Sequence, residues 1–208
     1  MKVAIIGAGN VGQALAGSAE RAGHEVTIAA KHPDHAQEAA SVTGANSAAS
    51  TRDAIADADV VILAVPASAL DEVAAEIGSA VTGKAVVDVT NHPTPDVSAQ
   101  SDTSTAEVLQ SKLPQARVIK AFNTAFASQQ ANPVVDGIAL DGYIAGDDAK
   151  AKQEVMDLAS SIGFRPIDVG PLVMARTLEA MAWLNISLQM QNNWPWQTGW
   201  KLVGPTGE

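Results

Sequence analysis

Gly7, Gly9 and Gly12 stand in a Gly-x-Gly-x-x-Gly spacing near the start of the chain. Glycines at those intervals suit a phosphate-binding turn. The first allows a tight bend, the second lets the backbone approach a pyrophosphate, and the third lets the following helix lie against the preceding strand. The N–H groups of Asn10, Val11 and Gly12, with the positive end of that helix, would stabilise an anion at the same spot. Groups able to move a proton are scarce. His92 and Lys120 are the candidates, His92 in a loop before Pro93 and Lys120 inside a strand, its stem packed and its ammonium at the sheet edge.

The elements that must position these residues follow from pattern. Lys2 to Ile6 is a short apolar strand, and after the glycine turn Val11, Leu15, Ala19 and Ala22 fall on one face of a helix. A second strand, 25–29, ends in Ala29-Ala30-Lys31-His32, with His35 one turn on. An NAD site ordinarily has Asp or Glu at that strand end to hold the ribose hydroxyls. Its absence, with Ala30, Lys31 and His35 in its place, favours NADP over NAD, and loss of Lys31 should weaken NADPH roughly tenfold.

Helix is expected over 33–41, 67–77, 104–113, from Asp147 or Asp148 to 162, and over 172–190. Strands are expected over 46–50, 59–65, 84–90, 117–122 and 138–145, with an edge strand over 165–169. The stretch 94–103 reads as a polar loop. The fold class is α/β, a Rossmann-type, doubly wound, mostly parallel sheet (residues 1–170) with a C-terminal helical extension (171–208) that is not an independent domain. In such sheets ligands bind beyond the carboxyl ends of the strands. That rule gathers the glycine turn, Ala30 and Lys31, Val65-Pro66, Asn91-His92 and Asn123.

Composition excludes several classes. The net charge of −10 argues against nucleic acid or an anionic membrane as partner. The chain has no cysteine, which removes disulfides, thiolate catalysis and cysteine metal sites; no metal site is expected. No apolar run reaches the length of a membrane span, and a strand beginning at Lys2 leaves no room for a signal peptide, so a soluble, cytoplasmic protein is expected. The four tryptophans all lie from residue 183 onward, and the last helix is apolar almost all round. That suits a homodimer interface, a substrate wall shared between subunits, or both. Arg176 and Glu179 are expected to pair along that helix.

These residues together resemble the NADP oxidoreductases that depend on the deazaflavin coenzyme F420. The resemblance rests on the N-terminal fingerprint, Val65-Pro66, Gly146-Asp147-Asp148 and the block Arg165 to Leu172. It implies hydride transfer between NADP(H) and a deazaflavin in a homodimer, with the deazaflavin near the nicotinamide and the C-terminal region. It further implies that Ala30, Lys31 and His35 stand where archaeal members hold the 2′-phosphate with Ser, Arg and Lys. Their glycine turn carries an extra threonine that Gly7-Ala8-Gly9 lacks. Where they carry a histidine after the sixth strand this chain has Asn123, a version also similar to the cytosolic domains of ferric reductases that pass hydride to a flavin. Three readings stay open. One is NADPH-linked hydride exchange with deazaflavin or flavin, Pro66, Asn91 and Asn123 shaping the ring end. Another is a small-molecule dehydrogenase or imine reductase using Lys120 or His92. The last is a non-enzymatic sensor of NADP redox state.

Overall fold

The computed structural model describes residues 1–92 and 102–206, so most of the loop expected over 94–103 lies outside the described residues, as does Pro93. Strands β1 (Lys2–Ile6), β2 (Glu25–Ala29), β3 (Asn46–Ser47), β4 (Val60–Leu63), β5 (Ala85–Asp88) and β6 (Arg117–Lys120) run parallel. A two-residue-by-two-residue hairpin, β7 (Val134–Val135) with β8 (Ile138–Ala139), stands apart from them. Then β9 (Asp141–Gly146) joins β6 antiparallel, and β10 (Arg165–Asp168) pairs with β9. The order across the sheet is β10-β9-β6-β5-β4-β1-β2-β3. The chain therefore steps outward from β1 to β3 and returns to the other side of β1 with β4. The crevice between β1 and β4 is the topological switch point, where sheets of this kind bind their ligands.

Strand side chains alternate between two apolar layers. Val3, Ile5, Val60, Ile62, Val87 and Ile119 pack with α1 (Asn10–Arg21), α2 (Pro33–Thr43) and α7 (Ala149–Ser161). Ala4, Ile6, Val61, Leu63, Val86 and Val118 pack with α3 (Thr51–Ile55), α4 (Leu70–Ile77) and α5 (Thr105–Lys112). Both faces of the central strands are thus covered, which is why those strands read as unbroken apolar runs rather than alternations. Among the described residues no helix is long and apolar enough to cross a membrane.

Two expectations need correction, and one helix has no counterpart among them. The strand expected over 138–145 is two strands, broken at Leu140. There the chain leaves the hairpin with β7 and enters the main sheet, and a window of apolar residues does not record a change of partner. The strand expected over 46–50 is paired only at Asn46 and Ser47. A short helix, α6 (Ala127–Ala131), follows β6 unannounced and packs on α1. Its buried residues are Gln129 and Gln130, so it lacks an apolar stripe to betray it.

After a single 3-10 turn at Leu172–Met174, α8 (Ala175–Asn192) closes the fold. Its buried residues are Ala175, Leu178, Glu179, Ala182, Asn185 and Gln189, while Leu184 and Met190 are exposed. The helix is therefore partly inverted, polar side chains inward and large apolar ones outward. The tail beyond it is tied to the start of β9. The Asp141 carboxylate accepts from the Arg165 guanidinium at 2.6 and 2.7 Å and from the Leu202 amide, while the Asp141 amide donates to the Trp200 carbonyl. Burial pushes the Asp141 carboxyl up, but Arg165, the Leu202 amide and Lys201 together outweigh it and hold it below its usual range. A depressed carboxylate contributes stability that is complete above its unfolded value, about 3.9, and is lost as the pH falls through the lower folded value. Acidification below about pH 4 should therefore release the tail, changing tryptophan emission in the native chain, and Asp141→Asn should already show the released spectrum at neutral pH.

Candidate active site

The glycine turn sits over the switch point. Gly7 has φ +121°, and a β-carbon there would lie 2.2 Å from the Ala64 carbonyl oxygen at the end of β4 and 3.3 Å from Val65. Its amide donates to Ala29 of β2, so Gly7 shapes the turn and offers no N–H to a ligand. Gly12 is as confined, since a β-carbon would lie 1.9 Å from the Gly7 carbonyl oxygen. Gly9 is the opposite case. It is the N-cap of α1 in extended backbone, with nothing within 4 Å of where a β-carbon would be. No side chain caps the helix, so the first-turn N–H groups at Asn10, Val11 and Gly12 lack a partner within the helix. A free helix N-terminus beneath a side-chain-free backbone suits the pyrophosphate of a dinucleotide.

The end of β2 lies beside this turn. Ala30 packs against the core, and Lys31, His32 and His35 are exposed at the start of α2. No side chain caps α2 either, although Asp34 occupies its first turn. The Lys31 ammonium donates to both oxygens of Glu72 at 2.8 and 3.2 Å, and that hydrogen bond raises its pKa. The cation expected to meet a 2′-phosphate thus rests on a carboxylate of α4, in a surface pair that holds it weakly.

On the other side of the switch point, Pro66 stands three residues beyond β4 and caps the 3-10 turn that leads into α4. Asn91 and Asn123, beyond β5 and β6, are brought together. The Asn123 Nδ2 donates to Asn91 Oδ1 at 2.8 Å, and Asn91 Nδ2 donates to the Asn123 carbonyl at 3.3 Å. His92 follows, half-buried, its amide donating to Glu179 and its carbonyl accepting from the Trp183 indole.

Lys120 is not at the sheet edge. Its side chain is 0 % exposed, and its ammonium donates to Asp88 and Glu179, each at 2.9 Å, to Thr105 Oγ1 at 2.8 Å and to the Thr90 carbonyl. The stem packs as expected, but β9 flanks β6, so no edge remains for the head to reach. Enclosed by four acceptors for its three protons, Lys120 has none left for a substrate. Asp88 and Glu179 were not apparent as its partners. A signal exists for Asp88, because it and Lys120 end neighbouring apolar strands and stand opposite each other in register. Glu179 also accepts from the amides of His92 and Thr105, so it does not pair with Arg176. That guanidinium instead grips Glu107 at 2.7 and 2.8 Å. Spacing along one helix is overridden here by a buried cation on the sheet.

Comparison with known proteins agrees with this geometry. Residues 2–92 match the family described as NADP oxidoreductase, coenzyme F420-dependent. The F420-dependent NADP reductase of Methanothermobacter thermautotrophicus is 32% identical over 211 residues, covering 92% of this chain and 90% of the relative. The rat metalloreductase STEAP3 is 31% identical over 185 residues, 86% of this chain but 36% of that protein. The chain thus spans about a third of the length of the metalloreductase. A crystal structure of a proposed F420-dependent NADP-reductase from Arthrobacter sp. FB24 superposes with a TM-score of 0.86 at 28% identity, covering 98% of this chain and all of that one. With the glycine turn, the sheet order and the near-full-length match in accord, the chain belongs to the coenzyme F420-dependent NADP oxidoreductase family.

Proposed function

We propose that the protein exchanges hydride between NADP(H) and a planar redox ring, a deazaflavin (coenzyme F420) or a flavin. The observation that carries this reading is the uncapped α1 N-terminus under the open backbone of Gly9, placed at the switch point. Asn10, Val11 and Gly12 would hold the pyrophosphate through their N–H groups. Lys31 and His35, with Ala30 leaving room, would meet the 2′-phosphate, and Val65, Pro66, Asn91 and Asn123 would border the nicotinamide. The bound nicotinamide supplies the hydride donor or acceptor; this chain's residues orient it and exclude water. Enclosure of Lys120 weighs against a dehydrogenase or imine reductase that would use it as acid or base. Residues 1–170 form the nucleotide-binding part in this reading and 171–208 its extension.

The outward face of α8, with Leu184 and Met190 and the nearby Trp194 exposed, fits a second copy of the chain, giving a homodimer that acts in the cytoplasm. Sedimentation velocity checks the assembly, and a monomer at micromolar concentration would count against it. The chemistry is tested by anaerobic mixing of NADPH with coenzyme F420, FMN, FAD and riboflavin in parallel. Bleaching of at least one ring is expected, and none would overturn the proposal. A further expectation concerns Lys31. Replacing Lys31 by Ala should weaken NADPH about tenfold, whereas Glu72→Gln should strengthen it by releasing the ammonium. NADH, lacking the 2′-phosphate, should respond to neither change in calorimetry.

A further inference from the structure

Asn123 carries a buried amide oxygen with no partner. The residue is 5 % exposed, and its Oδ1 makes no hydrogen bond. The orientation of the amide is fixed by its surroundings. Asn91 Nδ2 points at the Asn123 carbonyl, so Asn91 must turn its Oδ1 toward Asn123, and Asn123 must answer with Nδ2. A flipped amide would set two oxygens against each other. Oδ1 is therefore the atom left over, and a buried acceptor without a donor is costly enough to be rare.

The backbone leading to it is held in an unusual shape. Phe122, buried against Phe164, has φ +62°, a left-handed conformation that a bulky side chain rarely adopts. Its carbonyl accepts from Gln130 Nε2 at 3.0 Å, and the same amide group donates to the Ala125 carbonyl. Gln130, 1 % exposed, thus clamps the turn that sets Asn123. Strain maintained by a dedicated buried side chain points to a function for the group it places.

We propose that Asn123 Oδ1 accepts a hydrogen bond from the carboxamide N–H of the nicotinamide, and so fixes which way round that ring lies. This deepens the functional reading and rests on it, since NADP(H) must bind for the contact to exist. An acceptor at this position selects for an N–H and against a carbonyl or phosphate oxygen. Asn123 follows β6 and touches Asn91 beyond β5, on the carboxyl side of the sheet where the glycine turn would anchor the other half of the same molecule.

Titration calorimetry of the full chain with NADP+ and with its 3-acetylpyridine analogue, which has no carboxamide N–H, tests the contact without reference to turnover. The wild-type protein should bind NADP+ roughly tenfold more tightly than the analogue, and Asn123→Ala should bring the two within about twofold by weakening NADP+ alone. Should the variant fail to fold, the wild-type ratio decides: a ratio near one overturns the assignment. A ratio left unchanged by Asn123→Ala also overturns it, whether a water serves Oδ1 or the second ring's imide N–H does. Absence of binding by either dinucleotide would instead overturn the functional reading beneath it.

Discussion

Lys120→Met should lower the unfolding free energy by about 3–5 kcal/mol, the usual cost of removing one partner from a buried ion pair. For a chain of this size that corresponds to a fall in Tm of roughly 6–20 °C. The substitution would leave Asp88 and Glu179 facing each other across the Thr105 hydroxyl, which lies 2.7 Å from both carboxylates. The loss comes from those uncompensated carboxylates more than from the missing amine. Adding Asp88→Asn and Glu179→Gln to the same chain should accordingly restore part of the stability. Urea unfolding followed by tryptophan emission reads both results, and a single variant as stable as the parent would refute the account. Turnover of Lys120→Met must then be expressed per folded molecule, because a bare loss of activity would mimic a missing general acid.

The second large effect separates two glycines three residues apart. Gly12→Ala should destabilise the chain by about 1–3 kcal/mol, since the new methyl meets the Gly7 carbonyl and the helix has to move off the strand. Gly9→Ala should change stability by less than about 1 kcal/mol. Its extended backbone accepts alanine, and an N-cap alanine costs only modestly more than glycine. Yet the added methyl stands where the pyrophosphate would lie, so NADPH affinity should fall at least tenfold, a loss of about 1.4 kcal/mol or more. Thermal unfolding and calorimetry on the two variants give the contrast. Equal NADPH affinity in Gly9→Ala and the parent would remove the phosphate cradle from consideration.

Local physics explains which parts were legible beforehand. The glycine turn declares itself because its pattern is short-range: a strand, a bend and a helix start follow within a dozen residues. Gly12 is confined by Gly7 of the same βαβ unit, whereas Gly7 is confined by Ala64 beyond β4, which spacing alone does not show. The central strands declare themselves because both faces are buried. Lys120 could be placed on its strand but not given its partners, since Asp88 is 32 residues away and Glu179 59 residues away on another element. The expectation for Arg176 and Glu179 failed for the same reason. A helical spacing permits a pair, but Glu179 gains a buried ammonium and two backbone amides by turning inward. Asn123 was legible as a residue at a strand end. Its free oxygen was not, because that depends on the amide of Asn91 and on a left-handed phenylalanine that no propensity would place there.

Glu179 has one more effect. A single carboxylate on the last helix fastens His92 through one oxygen and Thr105 through the other, the two shores of the stretch 93–101. Whatever steadies that helix from outside therefore steadies both shores at once. If a second copy does so, subunit association and the setting of His92 and Thr105 form one linked equilibrium, and diluting the protein would loosen both residues together.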